Sequence, residues 1–479
     1  MRVTIWKING YYVDCNKLLG KIQGCGNTKA ALAVFSFGTG HAIMKNDLRE
    51  KPQERRIAMP AELQERFPLT ANRRALGQRV YCAAIVLLLI LSEVFSSNIQ
   101  STLPDFSHLA RLGLTGLGAL LLAAKCLLLT RYEFRWQWAV GCAAVVYAAF
   151  AALHGDDIWF LLAVLIGLGA KDVDLRTALR VYLVTAAVCL VLVQLLHYTT
   201  PLMPFNVYAR NWDYGYGHYN GYGARLLGVF FAWGWLRWPR LRWFDWAGLV
   251  ALAAYTLFVP MCRGAGMAMC LLLVLFVAQR FLPRFFESRL WHGLVLALYP
   301  LLTLFSLISG YLFDPSHPHT IPGFYRLNLA LSGRLEVWHH VFWAFDYVHP
   351  GEDGAADWLH ADMPNVITFL GGFPTDADVH HSIDNTYLAL VMNKGILGAV
   401  LVAAVTLFLL WRLCRAGHTG ESMLLFAMLC YLLMENKMFL FSANPLILLL
   451  PCALLTPWGA PLPTLCPKPD VRTKDPATV

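Results

Sequence analysis

The chain has 479 residues, of which 57% are hydrophobic and 14% charged, with a formal net charge of +9. Soluble globular chains carry about 25% charged residues, so a set of soluble domains is excluded as the bulk of the chain. The basic excess does not point to nucleic acid, because Lys and Arg sit in short clusters between apolar blocks, as the positive-inside rule describes.

Residues 1–78 are mixed and polar. Their most apolar run, from Ala30 to Met44, is short, interrupted by glycine, and lacks the layout of a signal peptide. This segment reads as a cytoplasmic N-terminal tail, poorly ordered, and Met59 is an alternative start.

A membrane domain follows over residues 79–457. A helix needs about 20 mostly apolar residues to cross the hydrocarbon core, where its backbone must satisfy itself. About twelve segments qualify. The first five are Val80 to Phe95, Leu109 to Leu129, Trp136 to Leu153, Ile158 to Ala170 and Ala178 to His197. The next four are Gly221 to Leu236, Phe244 to Met261, Gly264 to Leu282 and Trp291 to Phe313. A long polar loop covers 314–385. Tyr387 to Leu410, Ser422 to Met434 and Met438 to Leu455 complete the set, and residues 458–479 form a second tail. The expected fold is an all-α polytopic bundle of about twelve transmembrane helices, with one long external loop between spans nine and ten.

Alternate connections carry the basic residues, including Arg73, Arg74 and Arg79; Arg131 and Arg135; Lys171, Arg176 and Arg180; Arg237, Arg240 and Arg242; and Arg412 and Arg415. That side is cytoplasmic. Both termini then face the cytoplasm and the long loop faces out. Cysteines such as Cys189 and Cys270 lie inside apolar blocks and read as small core residues, with no metal spacing and no disulfides expected.

The external face holds few basic residues, and they are isolated. Arg263 sits at the outer end of two spans, Arg225 about one turn inside the sixth, and Arg210 opens an aromatic- and glycine-rich stretch. A single arginine there often snorkels to lipid head groups. Several on one face, against the positive-inside bias, favour an anionic ligand, because the planar fork of Arg holds phosphate bidentately. Within the loop, Leu331, Leu335, Trp338 and Phe342 recur at helical spacing after Ser332-Gly333-Arg334. This reads as an amphipathic helix on the outer leaflet, with Arg334 either a ligand residue or a helix-start residue paired with an acid. The loop ends in His380-His381-Ser382-Ile383-Asp384-Asn385. There His381 or Asp384 suits a general base, and Asp or Asn equally suits a helix cap. Asp376, Asp378, His380 and His381 also make a loose divalent-metal pattern.

Four local patterns resemble the O-antigen polymerase and O-antigen ligase superfamily, in its capsular or exopolysaccharide polymerase branch. Tyr214-Gly215-Tyr216-Gly217-His218-Tyr219-Asn220 with Gly223 resembles the family's aromatic-Gly-aromatic-Gly-His-Pro-Asn start of a span, with Tyr219 in place of proline. Cys262-Arg263-Gly264 resembles its Ser-Arg-Thr/Gly element. Ser332-Gly333-Arg334 with Trp338 resembles its Ser-Gly-Arg helix. Asp384-Asn385-Thr386-Tyr387-Leu388 with Gly395-Ile396-Leu397-Gly398 resembles its segment after the loop. Together they cover roughly Arg210 to Leu450.

The resemblance implies a GT-C-like, metal-independent, inverting glycan polymerase with no cofactor. Its donor is an oligosaccharide on undecaprenyl diphosphate and its acceptor a glycan hydroxyl, outside the cytoplasmic membrane. It further implies that Arg210, His218, Asn220, Arg225, Arg263, Arg334, Asn385 and Tyr387 bind the diphosphate or glycan, with His381 or Asp384 as base. A chain-length regulator and a flippase are the expected partners besides the bilayer, and no nucleic acid is. Ligases place a His directly before the Asn of the post-loop segment, where this chain has Asp384; that argues against a lipid A–core ligase. A lipid-linked oligosaccharide flippase, a ligase-type transferase to another acceptor and a non-catalytic envelope component are the competing readings.

Overall fold

The computed structural model describes residues 5–8, 11–14, 71–155, 158–203, 207–208, 211–238, 240–315, 317–339, 342–347, 358–364, 367–371, 383–458, 460 and 462. The chain divides into two compact units, Met1–Asn72 and Arg73–Val479. In the first, β1 (Ile5–Ile8) and β2 (Tyr11–Asp14) form an antiparallel hairpin with Ile5 opposite Asp14. Its strands are aromatic and β-branched, and Asn9-Gly10 separates them in sequence, a strong short-range hairpin signal.

The second unit is helical. Its first helices are α1 (Ala71–Glu93), α2 (Ile99–Thr102), α3 (Pro104–Leu128), α4 (Arg135–Gly155), α5 (Ile158–Gly169) and α6 (Leu175–Thr199). The short pair β3 (Val207–Tyr208) and β4 (Asn211–Trp212) leads to α7 (Tyr219–Arg237), α8 (Trp243–Phe258), α9 (Arg263–Phe281), α10 (Pro283–Phe286) and α11 (Arg289–Leu312). Within 314–385 lie α12 (Phe324–Ala330), α13 (Arg334–His339) and the antiparallel hairpin of β5 (Trp343–Tyr347) and β6 (Trp358–Pro364). Helices α14 (Thr386–Asn393), α15 (Gly395–Ala416) and α16 (Thr419–Leu432) follow, then a 3₁₀ turn Pro445–Leu449 and α17 (Leu450–Leu454).

Among the described residues, seven helices are long and apolar enough to cross a membrane: α1, α3, α4, α6, α9, α11 and α15. Their outward faces are bare hydrocarbon. Leu109 on α3 is 70% exposed and Leu153 on α4 85%. In water such continuous apolar surface would drive association; in a bilayer it is the ordinary lipid-facing side. The chain fits a multi-pass helical membrane protein.

Two of the twelve sequence segments are not single helices. Tyr387 to Leu410 breaks between α14 and α15, where Gly395 takes φ 68°. Residues 367–371 run against this break. The amides of Ile396 and Leu397 donate to the carbonyls of Thr368 and Phe369, at 3.2 and 3.0 Å. A Cβ on Gly395 would lie 2.3 Å from the Gly371 amide nitrogen, so the two backbones meet only because both residues are glycine. Met438 to Leu455 also fails as one helix: only Pro445–Leu449 and Leu450–Leu454 are helical, each with a proline near its start. The apolar face of α13 does not lie open to a leaflet. Leu335 and Trp338 are buried against Phe313 of the α11 end and Leu388 of α14.

A cavity of about 360 Å³ lies between α4, α5, α15, α16 and the 438–454 segment. Its walls include Leu401, Leu409, Met428, Leu432, Met438 and Phe439.

Candidate functional site

The first motif is locked before it reaches the site. Tyr214, Gly215 and Gly217 all have positive φ, at 51°, 80° and 72°. The buried carboxylate of Asp213 accepts from the Gly215 amide at 3.2 Å and from the Asn98 side-chain amide. The chain is thereby turned so that His218 caps α7, its Nδ1 accepting from the Asn220 amide at 3.0 Å. One turn into α7, Gly223 touches the second motif. A Cβ there would lie 2.5 Å from Cβ of Cys262. Burial pushes the Cys262 thiol up to about 12, so it stays protonated, and its Sγ donates to the Tyr219 carbonyl at 2.7 Å.

The third and fourth motifs converge on residues 431–437. Ser332 and Gly333, at φ 59° and 81°, turn the chain into α13 and present Arg334 inward. The Arg334 Nε donates to the Met434 carbonyl at 2.9 Å, and Nη2 to Glu435 Oε1 at 2.9 Å. Nη1 donates to Leu331 O at 3.3 Å. Thr386 donates through its hydroxyl to the Glu435 carbonyl at 2.9 Å. Gly264, beside Arg263, is in van der Waals range of Met434 for the Cβ it lacks. All four motifs therefore meet around the connection that follows α16.

The charges there are mixed. His218 feels Asp384, Lys437 and Arg334, and burial holds its imidazole below the usual histidine range. Glu435 is nearly fully buried, and its carboxyl is raised to about 7, first by burial and then by Asp384, against the pull of Lys437 and Arg334. Asp384 is half-buried and makes no hydrogen bond to a described residue. Arg263 is exposed at the first residue of α9 and likewise has no hydrogen bond or ion pair among the described residues. Lys437, a committed arginine with donors to spare and two carboxylates suit an anion plus a proton acceptor.

Of the residues singled out from sequence, His218, Arg334 and Asp384 come together, and Arg263 stands exposed at the start of α9, next to the Gly264 that borders Met434. Asn220 is half-buried one turn from them. Arg225 belongs to a different set of contacts. It is buried, its Nε lies 3.1 Å from Glu93, its Nη atoms donate to Gly221 O and Ser92 O at 2.8 Å, and its guanidinium covers the Tyr216 ring at 4.2 Å. Asn385 caps α14 through the Tyr387 and Leu388 amides and donates to Ser306 Oγ at 3.0 Å. Tyr387 is buried and donates to Leu429 O at 2.8 Å. These three hold the scaffold. Arg210 and His381, with Asp376, Asp378 and His380, lie outside the described residues.

Sequence reasoning missed Glu435. Its signal was present: Glu435-Asn436-Lys437 is a charged triplet between two apolar segments, read only as a connection. Nothing in sequence tied it to Arg334, a hundred residues earlier. Comparison with protein-family models, with curated proteins and with solved structures finds no match for this chain.

Proposed function

We propose that the protein is a membrane glycosyltransferase of the O-antigen polymerase and ligase type. It transfers an oligosaccharide from an undecaprenyl-diphosphate carrier to a hydroxyl of an acceptor glycan, at the outer side of the cytoplasmic membrane. The observation that carries this reading is the state of Arg334. Each of its three nitrogens has one acceptor, which leaves one N–H on Nη1 and one on Nη2. Among the described residues these two N–H groups have no acceptor, and a guanidinium with two donors to spare can take phosphate oxygens. Arg263 and Lys437 lie around the same connection, and Asp384 supplies a carboxylate.

The chemistry then runs without a metal. Asp384, alone or through His381, takes the proton of the acceptor hydroxyl. The oxygen attacks the anomeric carbon from the face opposite the diphosphate, the C–O bond to the diphosphate breaks, and the departing charge rests on Arg334 and Arg263. The apolar cavity supports a lipid carrier, because Leu432 and Met438 in its wall flank the Glu435–Lys437 connection. In this reading about twelve segments cross the membrane, both termini are cytoplasmic, residues 314–385 face out, and a flippase and chain-length regulator work beside it.

The test is the lipid-linked pool of a deletion strain. Single repeat units should accumulate on undecaprenyl diphosphate at the outer face and disappear on complementation. Accumulation at the inner face would make the protein a flippase, and normal polymer would remove both readings. A cysteine placed at Gly354 should label from outside in intact cells.

A further inference from the structure

The carboxylate that grips Arg334 poses an electrostatic problem. Glu435 is buried, and its Oε1 lies 2.9 Å from Nη2, which carries a second hydrogen for another acceptor. A diphosphate held by the remaining guanidinium hydrogens brings negative charge within one guanidinium width of a buried carboxylate. Removing Glu435 is no solution, since it and the Met434 carbonyl fix the guanidinium plane.

From this geometry we propose that Glu435 is a positioning residue that aims Arg334 at the diphosphate and takes up a proton when the diphosphate binds. The inference rests on the diphosphate reading above. Protonated, Glu435 keeps a carbonyl oxygen as acceptor for Nη2, so the aim of Arg334 survives while the repulsion is removed.

The surroundings allow this. Arg334 from α13 and Lys437 from the same connection oppose protonation, and Asp384 before α14 favours it. From the other elements, His218 and Tyr219 face the site at the start of α7, Tyr431 at the end of α16, and Cys262 just before α9. Burial is the largest influence and brings Glu435 to about 7 without ligand. An added anion raises proton affinity further. The sign follows. Below about pH 6 Glu435 is already protonated and nothing is taken up; at and just above pH 7 uptake is largest; affinity falls as pH rises through that window.

The experiment is isothermal titration calorimetry of the full-length protein in detergent. The probe is a short-chain prenyl diphosphoryl sugar, whose two phosphate charges stay fixed near neutral pH. Titrations in buffers of different ionisation enthalpy count protons. About one proton should enter per ligand near pH 7.5, and Kd should rise by up to about tenfold per pH unit above that. Glu435→Gln keeps the acceptor oxygen, so it should bind with no proton uptake and a flat pH profile. Binding by the wild type without uptake overturns the proposal and leaves the diphosphate site standing. Uptake that persists in Glu435→Gln and vanishes in Asp384→Asn also overturns it, by moving the proton to Asp384. No binding by the wild type, or equal binding by Arg334→Ala, sinks the diphosphate reading and this inference with it.

Discussion

Arg225 and Arg334 are the same chemistry in two settings. Each is an arginine paired with a buried glutamate, Arg225 with Glu93 at 3.1 Å and Arg334 with Glu435 at 2.9 Å. Around Arg225 the protein closes. Tyr216 lies under its guanidinium and donates its hydroxyl to Glu93 at 3.2 Å, and two backbone carbonyls take the Nη atoms. Around Arg334 two N–H groups have no acceptor among the described residues, and further ionisable groups gather there. A charge at membrane depth is thus a question that each site answers separately: one cluster ties helices together, the other keeps donors in reserve.

The largest expected effect tests the closed cluster. Arg225→Ala leaves Glu93 buried without its counter-ion, which costs about 3–5 kcal/mol. Thermal unfolding in detergent should show it, and Arg225→Met combined with Glu93→Leu should recover most of the loss. An Arg225→Ala protein of normal stability that fails only in polymer synthesis would break the comparison and return Arg225 to the site. Next comes the open cluster. Arg334→Lys keeps a charge beside Glu435 but loses the fork, so the protein should fold while turnover falls on the order of a hundredfold. Polymer yield at equal protein level reads this out, and full activity would reduce Arg334 to a scaffold residue. The smallest effects are a matched pair. Tyr216→Phe and Thr386→Val each remove one buried hydrogen bond, worth about 1 kcal/mol. Only Thr386→Val should also slow turnover, because Thr386 holds the Glu435 backbone.

Long apolar blocks made α3 to α9 and α11 legible to within about a turn and a half of their ends. They missed the polar start of α1, which begins at Ala71 and not Val80, and the short α2 and α10. They also failed where backbone contacts override composition. Nothing in the apolar run Tyr387 to Leu410 marks the crossing of Gly395 by Gly371, since that contact depends on a distant segment. Likewise the Leu335 and Trp338 stripe revealed an amphipathic helix, but not that protein rather than lipid covers it. In the candidate site, His218, Arg334 and Asp384 were visible as polar residues where polarity is costly. Whether an arginine is committed or available depends on its partners in space, so Arg225 and Arg334 looked alike. Glu435 was invisible as a site residue because its partner is remote in sequence.

The glycine crossing also has a consequence for biosynthesis. The strip 367–371 leaves the ribosome before the amides of Ile396 and Leu397 that it will bond. Its docking therefore waits for the first turn of α15, and the loop is fastened only after the next long helix begins to form. A released chain truncated after Lys394 should leave this strip open to protease, whereas one that runs through Gly417 should protect it. The order of synthesis makes α15 the latch of a loop that was made before it.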